Sequence, residues 1–326
     1  MLKTSRSTIL ISLAKKLKLG KLKYKLYYAP KNLICSLTRK DAWIDLWSQL
    51  QMERAIYNLS PLQSSINKST ILNIYFLTGE KYWYQTCFCA YSMSKQIEKF
   101  DIRPIIYDDG SLDRTHQNKI IRILPNAKFI LRQEIEEKIN KYLPENKFPY
   151  LRERRINYPN IRKLTDIHVG SYGWKLVLDS DMLFFRTPHI LLDWLKSPKQ
   201  PCHMVDVETS YGYSSILMET LADAKISELI NVGICGLKSD DIDWEKLEYW
   251  CKTMIKKEGK SYYQEQALVA MLMAGKSCIV SPASDYIVMP DRDEVIEPKA
   301  ILHHYVADSK SWYFRYGWRH ILKIDP

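Results

Sequence analysis

The chain has 326 residues, of which 46% are hydrophobic and 12% aromatic, an ordinary globular composition with ample material for one large or two small cores. Its formal net charge of +11 belongs to one end: residues 1–40 carry eleven basic side chains and no acid, and the remaining 37 Lys and Arg match the 37 Asp and Glu. No general basic surface is implied for the folded body, which argues against a nucleic-acid partner, and no apolar run reaches the roughly 18–20 residues needed to span a bilayer.

The basic leader interleaves cations with Leu, Ile and Tyr, as in Leu17-Lys18-Leu19-Gly20-Lys21-Leu22-Lys23. Such an arm can offer electrostatic and apolar contact to an anionic membrane surface without crossing it. Packing on its own domain is the other reading, because the pattern makes no clean helical stripe and Gly20 interrupts it. The apolar stretch 7–14 is too short for a span and is followed by no convincing cleavage site, so a cytoplasmic protein is expected, with a peripheral place on the inner face of a membrane. The seven cysteines agree: an odd number with no Cys-x-x-Cys pair reads as reduced, mostly buried thiols.

A helical segment is expected over 41–59, and the polar run Ser60-Pro61-Leu62-Gln63-Ser64-Ser65 marks a joint. The expected division is a basic arm and helical leader over 1–70 and one domain over 71–326. Beyond the joint, strand and helix patterns alternate. Residues 73–77 form a buried-strand run ending at Thr78-Gly79, residues 82–97 have helical spacing, and 102–107 is a second strand ending in Asp108-Asp109-Gly110-Ser111. A helix over about 113–123 leads to a third strand at 127–131. This βαβαβ order predicts an α/β domain with a doubly wound, mostly parallel sheet whose ligands lie at the carboxyl ends of the strands.

The next apolar run, 174–178, ends in Asp179-Ser180-Asp181. Strand geometry sends residues i and i+2 to one face, so both carboxylates leave the sheet together, and two such acids call for a cation of the Mg²⁺ or Mn²⁺ kind. Several further groups occupy suggestive places. Asp108 and Asp109 could accept hydrogen bonds from a base or ribose, or simply make a turn capped by Ser111 or Asp113. Lys163 and Asp166, one turn apart near a helix start, could pair with each other, or Arg162 and Lys163 could instead reach a nucleotide. The strand 231–237 contains Gly233 and Gly236, and interior glycines imply a close approach, for which a sugar is one candidate. Glu265 and Gln266 open a helix running to about 273. His303 and His304 follow a strand-like run, and only one of them can face a given site. Loops such as 144–157 and 205–230 are expected to shape the pocket.

Taken together these residues resemble the GT-A glycosyltransferases, a Rossmann-like nucleotide-diphosphosugar fold, and within them the glycogenin and lipopolysaccharide-galactosyltransferase type, glycosyltransferase family 8. The resemblance runs through Leu176-Val177-Leu178-Asp179-Ser180-Asp181, the Asn231-x-Gly233 strand, Glu265-Gln266-Ala267 in place of Asp-Gln-Asp, and His304 through Lys310 to Trp312. It covers about residues 70–315. The family's Gly and Pro of the last motif are replaced here by Ala307 and Ser311, and Asp108-Asp109-Gly110-Ser111 looks more like the inverting family 2 transferases.

The resemblance implies a single GT-A domain behind the basic arm, with Mn²⁺ or Mg²⁺ on Asp179, Asp181 and His304 but not His303. The donor, a UDP-sugar, would be held by Thr78, Asp108, Asp109, Lys163, Asp166, Asp179, Ser180 and Lys310. Asn231 and Gly233 would meet a glycan, lipid or small-molecule acceptor, and Glu265 and Gln266 would line the sugar pocket as the catalytic pair, with retention. A sugar-nucleotide pyrophosphorylase would need a Gly-rich phosphate loop where Leu77-Thr78-Gly79-Glu80-Lys81 has one glycine. A decayed, non-catalytic membrane-associated nucleotide-sugar-binding protein would have no reason to keep both aspartates, His304 and Lys310.

Overall fold

The structure, a computed structural model, describes residues 42–62, 70–97 and 99–324, so the basic arm lies outside the described residues. The chain divides into two units, residues 1–51 and 52–326. A helix is found at Ala42–Ala55, within the segment expected to be helical.

The larger unit is built on a seven-stranded sheet in the order β3-β2-β1-β4-β7-β6-β8. Its strands are β1 (Ile71–Thr78), β2 (Asp101–Asp108), β3 (Lys128–Ile130), β4 (Trp174–Leu178), β6 (Cys202–Val205), β7 (Ile230–Lys238) and β8 (Ile279–Ser281). β1 pairs parallel with β2 and β4, β2 with β3, and β6 with β8, while β7 runs antiparallel between β4 and β6. A second sheet orders β5 (Met182–Phe184), β10 (Leu302–His304) and β9 (Tyr286–Val288) side by side.

Two cores separated by the main sheet explain the apolar runs. Ile74, Phe76, Ile106, Leu176, Leu178 and Ile234 belong to one, packed with Phe88 and Met93 of the helix Trp83–Lys95. The alternate residues Ile105, Tyr107, Val177, Val232 and Cys235 belong to the other, with Leu164, Trp250 and Leu268 from the helices Arg162–His168, Trp244–Glu258 and Gln264–Met273. A sheet covered on both faces reads as continuous apolar strands. Both cores are thus visible in a run such as Leu176-Val177-Leu178.

The expected helices at 82–97 and 113–123 are found at Trp83–Lys95 and Arg114–Ile123, the latter capped by Asp113, whose side chain accepts from the backbone N–H of His116. Two expected loops are corrected: residues Pro149–Asn157 and Ser215–Ala222 are helical. Among the described cysteines none is disulfide-bonded, and Cys87, Cys89, Cys202, Cys235 and Cys251 are buried. No helix of the described residues is long and apolar enough to cross a membrane.

The strand order reverses between β1 and β4, and the carboxyl ends of β1, β2, β4 and β6 lie on one edge with the amino end of β7. In open α/β sheets that edge is where ligands bind.

Candidate functional site

The acids after β4 are fixed by backbone contacts from two directions. Asp179 N donates to Gly233 O at 2.9 Å, and Tyr305 N donates to Asp181 O at 2.9 Å. β10 runs antiparallel to β5 with His304 opposite Met182, the residue after Asp181. This register brings His304 to the two aspartates from the far end of the chain. Its Nε2 lies 3.4 Å from Asp181 Oδ1 and 3.7 Å from Asp179 Oδ2, and one ligand atom from each residue falls within 4.8 Å of the other two.

His304 is 2% exposed, and both its ring nitrogens are buried without a hydrogen-bond partner. A buried imidazole with no partner is unfavourable unless something is added. Two carboxylates and an imidazole facing one point are a donor set for a divalent cation, so the residues fit the metal that the resemblance implies. His303 points elsewhere, with Nε2 2.9 Å from Glu294 Oε1 and Nδ1 3.0 Å from Tyr305 Oη.

Two lysines flank the acids. Lys310 Nζ lies 3.1 Å from Asp181 Oδ2, and Lys163 Nζ lies 2.9 Å from Asp179 Oδ1 and 3.5 Å from Glu265 Oε2. Burial works against the charge of Asp181, but His304 and Lys310 outweigh it and hold the carboxyl well below the usual range. Burial likewise opposes the ammonium of Lys163, yet Asp179 and Glu265 hold it above the ordinary lysine value. Glu265, 5% exposed, is pushed up to about 7 by burial, with Asp179 pushing the same way and Lys163 opposing.

These groups open onto a cleft of about 370 Å³ lined by Lys163, Asp179, Asn231, Glu265, Gln266 and Lys310, among others. Several expectations are revised there. Lys163, expected to pair with Asp166 or hold a base or ribose, reaches Asp179 and Glu265 instead. Asp166, expected on the nucleotide, is 3% exposed and taken up by Arg155, whose Nε and Nη2 donate to its two oxygens at 2.6 and 2.9 Å. The hydroxyl of Thr78 is buried against Thr86 Oγ1 at 2.7 Å. Asp108 Oδ1 accepts from the backbone of Gly110 and Leu112, the turn reading of that motif, and with Asp109 it borders a separate cavity of about 110 Å³ beside Arg132, Arg155 and Arg162.

Both strand glycines stand close against protein neighbours, and Gly233 also lines the cleft. A Cβ at Gly233 would lie 2.4 Å from His304 Cε1 and 2.5 Å from Met182 Cε, and one at Gly236 would lie 2.4 Å from Cys202 Sγ and 2.6 Å from Trp194. Asn231, 6% exposed, supports the first of these turns by accepting from Gly233 N through Oδ1 at 2.9 Å.

Sequence reasoning missed Asp206. It follows β6 as Asp179 follows β4, and the run Cys202-His203-Met204-Val205 before it is the same kind of signal, obscured by His203. Gln266 Nε2 donates to Asp206 Oδ2 at 3.1 Å.

No family model and no curated protein matches the chain. Solved structures do match. The galactosyltransferase LgtC, solved in complex with donor and acceptor sugar analogs, superposes with a TM-score of 0.52 at 17% identity, over 77% of this chain and 94% of that one. Mouse xyloside xylosyltransferase 1 in its apo form gives a TM-score of 0.50 at 9% identity, over 74% of this chain and 99% of that one. The chain therefore has the GT-A fold of these glycosyltransferases.

Proposed function

We propose that this protein is a metal-dependent glycosyltransferase that moves a sugar from a nucleotide-diphosphosugar, specifically a UDP-sugar, to an acceptor with retention of configuration. The observation that carries the reading is the meeting of Asp179, Asp181 and a buried His304, whose ring nitrogens make no hydrogen bond, at the ligand-binding edge of a GT-A sheet. Asp179, Asp181 and His304 would hold Mn²⁺ or Mg²⁺, which when bound neutralises negative charge on the departing diphosphate. Lys310 supplies a second cation beside Asp181, and its 44% exposed side chain can follow the leaving group. Lys163 fixes Asp179 in place and ties Glu265 to it.

Retention is supported by that tie: the carboxylate of Glu265, which an inverting enzyme could use as a free general base, is engaged by a lysine, and the amide of Gln266 stands beside it in the cleft wall. Asp109 and Ser180 remain candidates for the nucleotide. The basic arm is proposed to hold the enzyme to an anionic membrane surface on the cytoplasmic side, on the strength of its eleven cations.

The test is a thermal-shift screen of nucleotide sugars with and without Mn²⁺, since a specific ligand raises apparent stability by mass action. A Mn²⁺-dependent shift with UDP-sugars, lost in His304→Ala and kept in His303→Ala variants that remain folded, is expected. No shift with any nucleotide sugar would refute the reading, and an NMR-determined inverted linkage in the product would refute retention.

A further inference from the structure

A second cavity opens on the edge of the main sheet opposite the cleft, where β4, β6 and β8 begin and β7 ends. Its volume is about 340 Å³, close to the 370 Å³ of the cleft. Trp174 and Lys238, opposite each other in the β4–β7 pair, stand on its wall, and roughly 16 Å of strand separates Trp174 from Asp179 at the other end of β4. Hydrogen bonds hold the surrounding segments in place. Trp194 Nε1 donates to Gln200 O at 2.7 Å, Ile279 N to Pro201 O at 2.8 Å, and Ser239 N to Gly173 O at 2.9 Å. The cavity is therefore formed before anything enters it.

Its lining combines two chemistries. Leu237 and Ile242 are buried, Leu272 and Trp174 are partly exposed, and Trp174 is braced edge-on by Trp194 at 5.7 Å between centroids. The indole N–H of Trp174 donates to no described residue. Above this apolar surface stand Lys199, Lys238 and Lys276. Asp241, the one carboxylate among the lining residues, lies 3.3 Å from Lys238 Nζ, and the neighbouring Asp240 is engaged by Gly173 N at 2.7 Å. No described carboxylate lies within ion-pair distance of Lys199 or Lys276. A preformed concave site with an apolar floor and a few convergent charges is the usual form of a small-molecule pocket, and lysines are common phosphate binders.

We infer that this cavity is a second ligand site, which takes an amphiphilic phosphate monoester: the charged head meets Lys199, Lys238 and Lys276, and the ring or short chain rests on Trp174 and Leu272. Two unmatched ammonium groups suit the double charge of such a head. A bare inorganic anion would leave the apolar floor facing water, and a neutral amphiphile would leave the lysines unmatched. No residue of this wall lines the cleft, so the site stands whether or not the cleft transfers sugar. The same head and apolar body occur in soluble phosphate esters and in anionic lipids.

The test follows the Trp174 indole N–H resonance of the isotope-labelled full chain, assigned through its neighbours Gly173 and Lys175, so that anions held by the N-terminal arm do not enter the readout. Phenyl phosphate and octyl phosphate should shift it saturably, at concentrations about tenfold or more below those required of inorganic phosphate, and octyl glucoside should leave it in place. Lys199→Gln combined with Lys276→Gln, both at exposed positions, should weaken the response about tenfold while the urea midpoint stays unchanged. Tighter binding of phenyl phosphate than of dihexanoyl phosphatidate would identify a soluble ester as the ligand, and the reverse order a lipid. No shift with any phosphate ester, an equal response to inorganic phosphate or to octyl glucoside, or an undiminished response in the double lysine variant would each overturn the inference.

Discussion

Gly233 is a glycine because His304 stands over it: a Cβ there would come within 2.4 Å of His304 Cε1 and 2.6 Å of Nδ1. Met182 Cε would lie 2.5 Å from the same Cβ, so the added methyl meets both side chains at once, and the imidazole borders the open cleft. Gly233→Ala should therefore displace the ring, with overpacking costing about 1–3 kcal/mol. Mn²⁺ affinity, measured by calorimetry, should fall at least tenfold while circular dichroism stays native. Unchanged affinity would show that the ring is free to move.

Lys163 is the only lysine or arginine within ion-pair distance of both Asp179 and Glu265 among the described residues. Lys163→Met leaves the buried carboxylate of Glu265 and the quarter-exposed one of Asp179 without their shared cation, which should destabilise the fold by about 3 kcal/mol in urea unfolding. Adding Glu265→Gln removes one of the charges and should recover most of that loss. A double variant no more stable than the single one would mean that lysine packing, not charge, is what matters.

His168 gives an acid-sensitivity test remote from the cleft. It is 2% exposed, with Nδ1 2.9 Å from Ser239 Oγ, and burial, aided by the nearby charge of Lys175, lowers its pKa to about 3. Unfolded, the ring titrates near about 6.5. Because the folded value is depressed, this contribution is complete above the unfolded pKa and is lost as pH falls below it. Between about pH 6.5 and 5 the loss should be about 2 kcal/mol. The slope of stability against pH should flatten in His168→Gln, and an unaltered slope would remove His168 as its source.

Ala307 adopts φ +47°, in the left-handed region, at the place where the resembled motif has Gly. Side chains are disfavoured there by about 1–2 kcal/mol, partly offset by the greater unfolded-state freedom of glycine. Ala307→Gly should raise the stability by about 0.5–1 kcal/mol, seen as a higher urea midpoint at unchanged m-value. A lower midpoint would show that the Cβ makes contacts worth more than the strain.

For the basic arm, the expected outcome is co-sedimentation of the full chain with anionic vesicles, weakened at high salt and lost on deleting residues 1–40. Five or six cations at about 1 kcal/mol each would suffice for reversible binding. Equal sedimentation of both forms would detach the membrane role from the arm.

What could be read without coordinates was whatever a single stretch of chain declares. The runs before Thr78, Asp108 and Asp179 announced β1, β2 and β4, because strands buried on both faces are continuously apolar. That His303 and His304 face different neighbours followed from strand alternation. Misreadings came where the partner is distant. Asp166 lies one turn from Lys163, but nothing local shows Arg155 closing on it from the helix Pro149–Asn157. Gly236 invites a ligand until Trp194 and Cys202 are seen against it. The three-residue strands β5, β8, β9 and β10 are too short to carry a period, and Asp206 was hidden because β6 includes a buried His203.

The seven-stranded sheet is complete at Ser281, whereas the imidazole that joins its aspartates arrives on β10. During synthesis the acids leave the ribosome well before His304 does. If the proposed cation site is right, a nascent or prematurely ended chain holding every strand of the main sheet would still lack its third ligand, and assembly of the sheet and acquisition of cation affinity would be separate events in the synthesis of this chain.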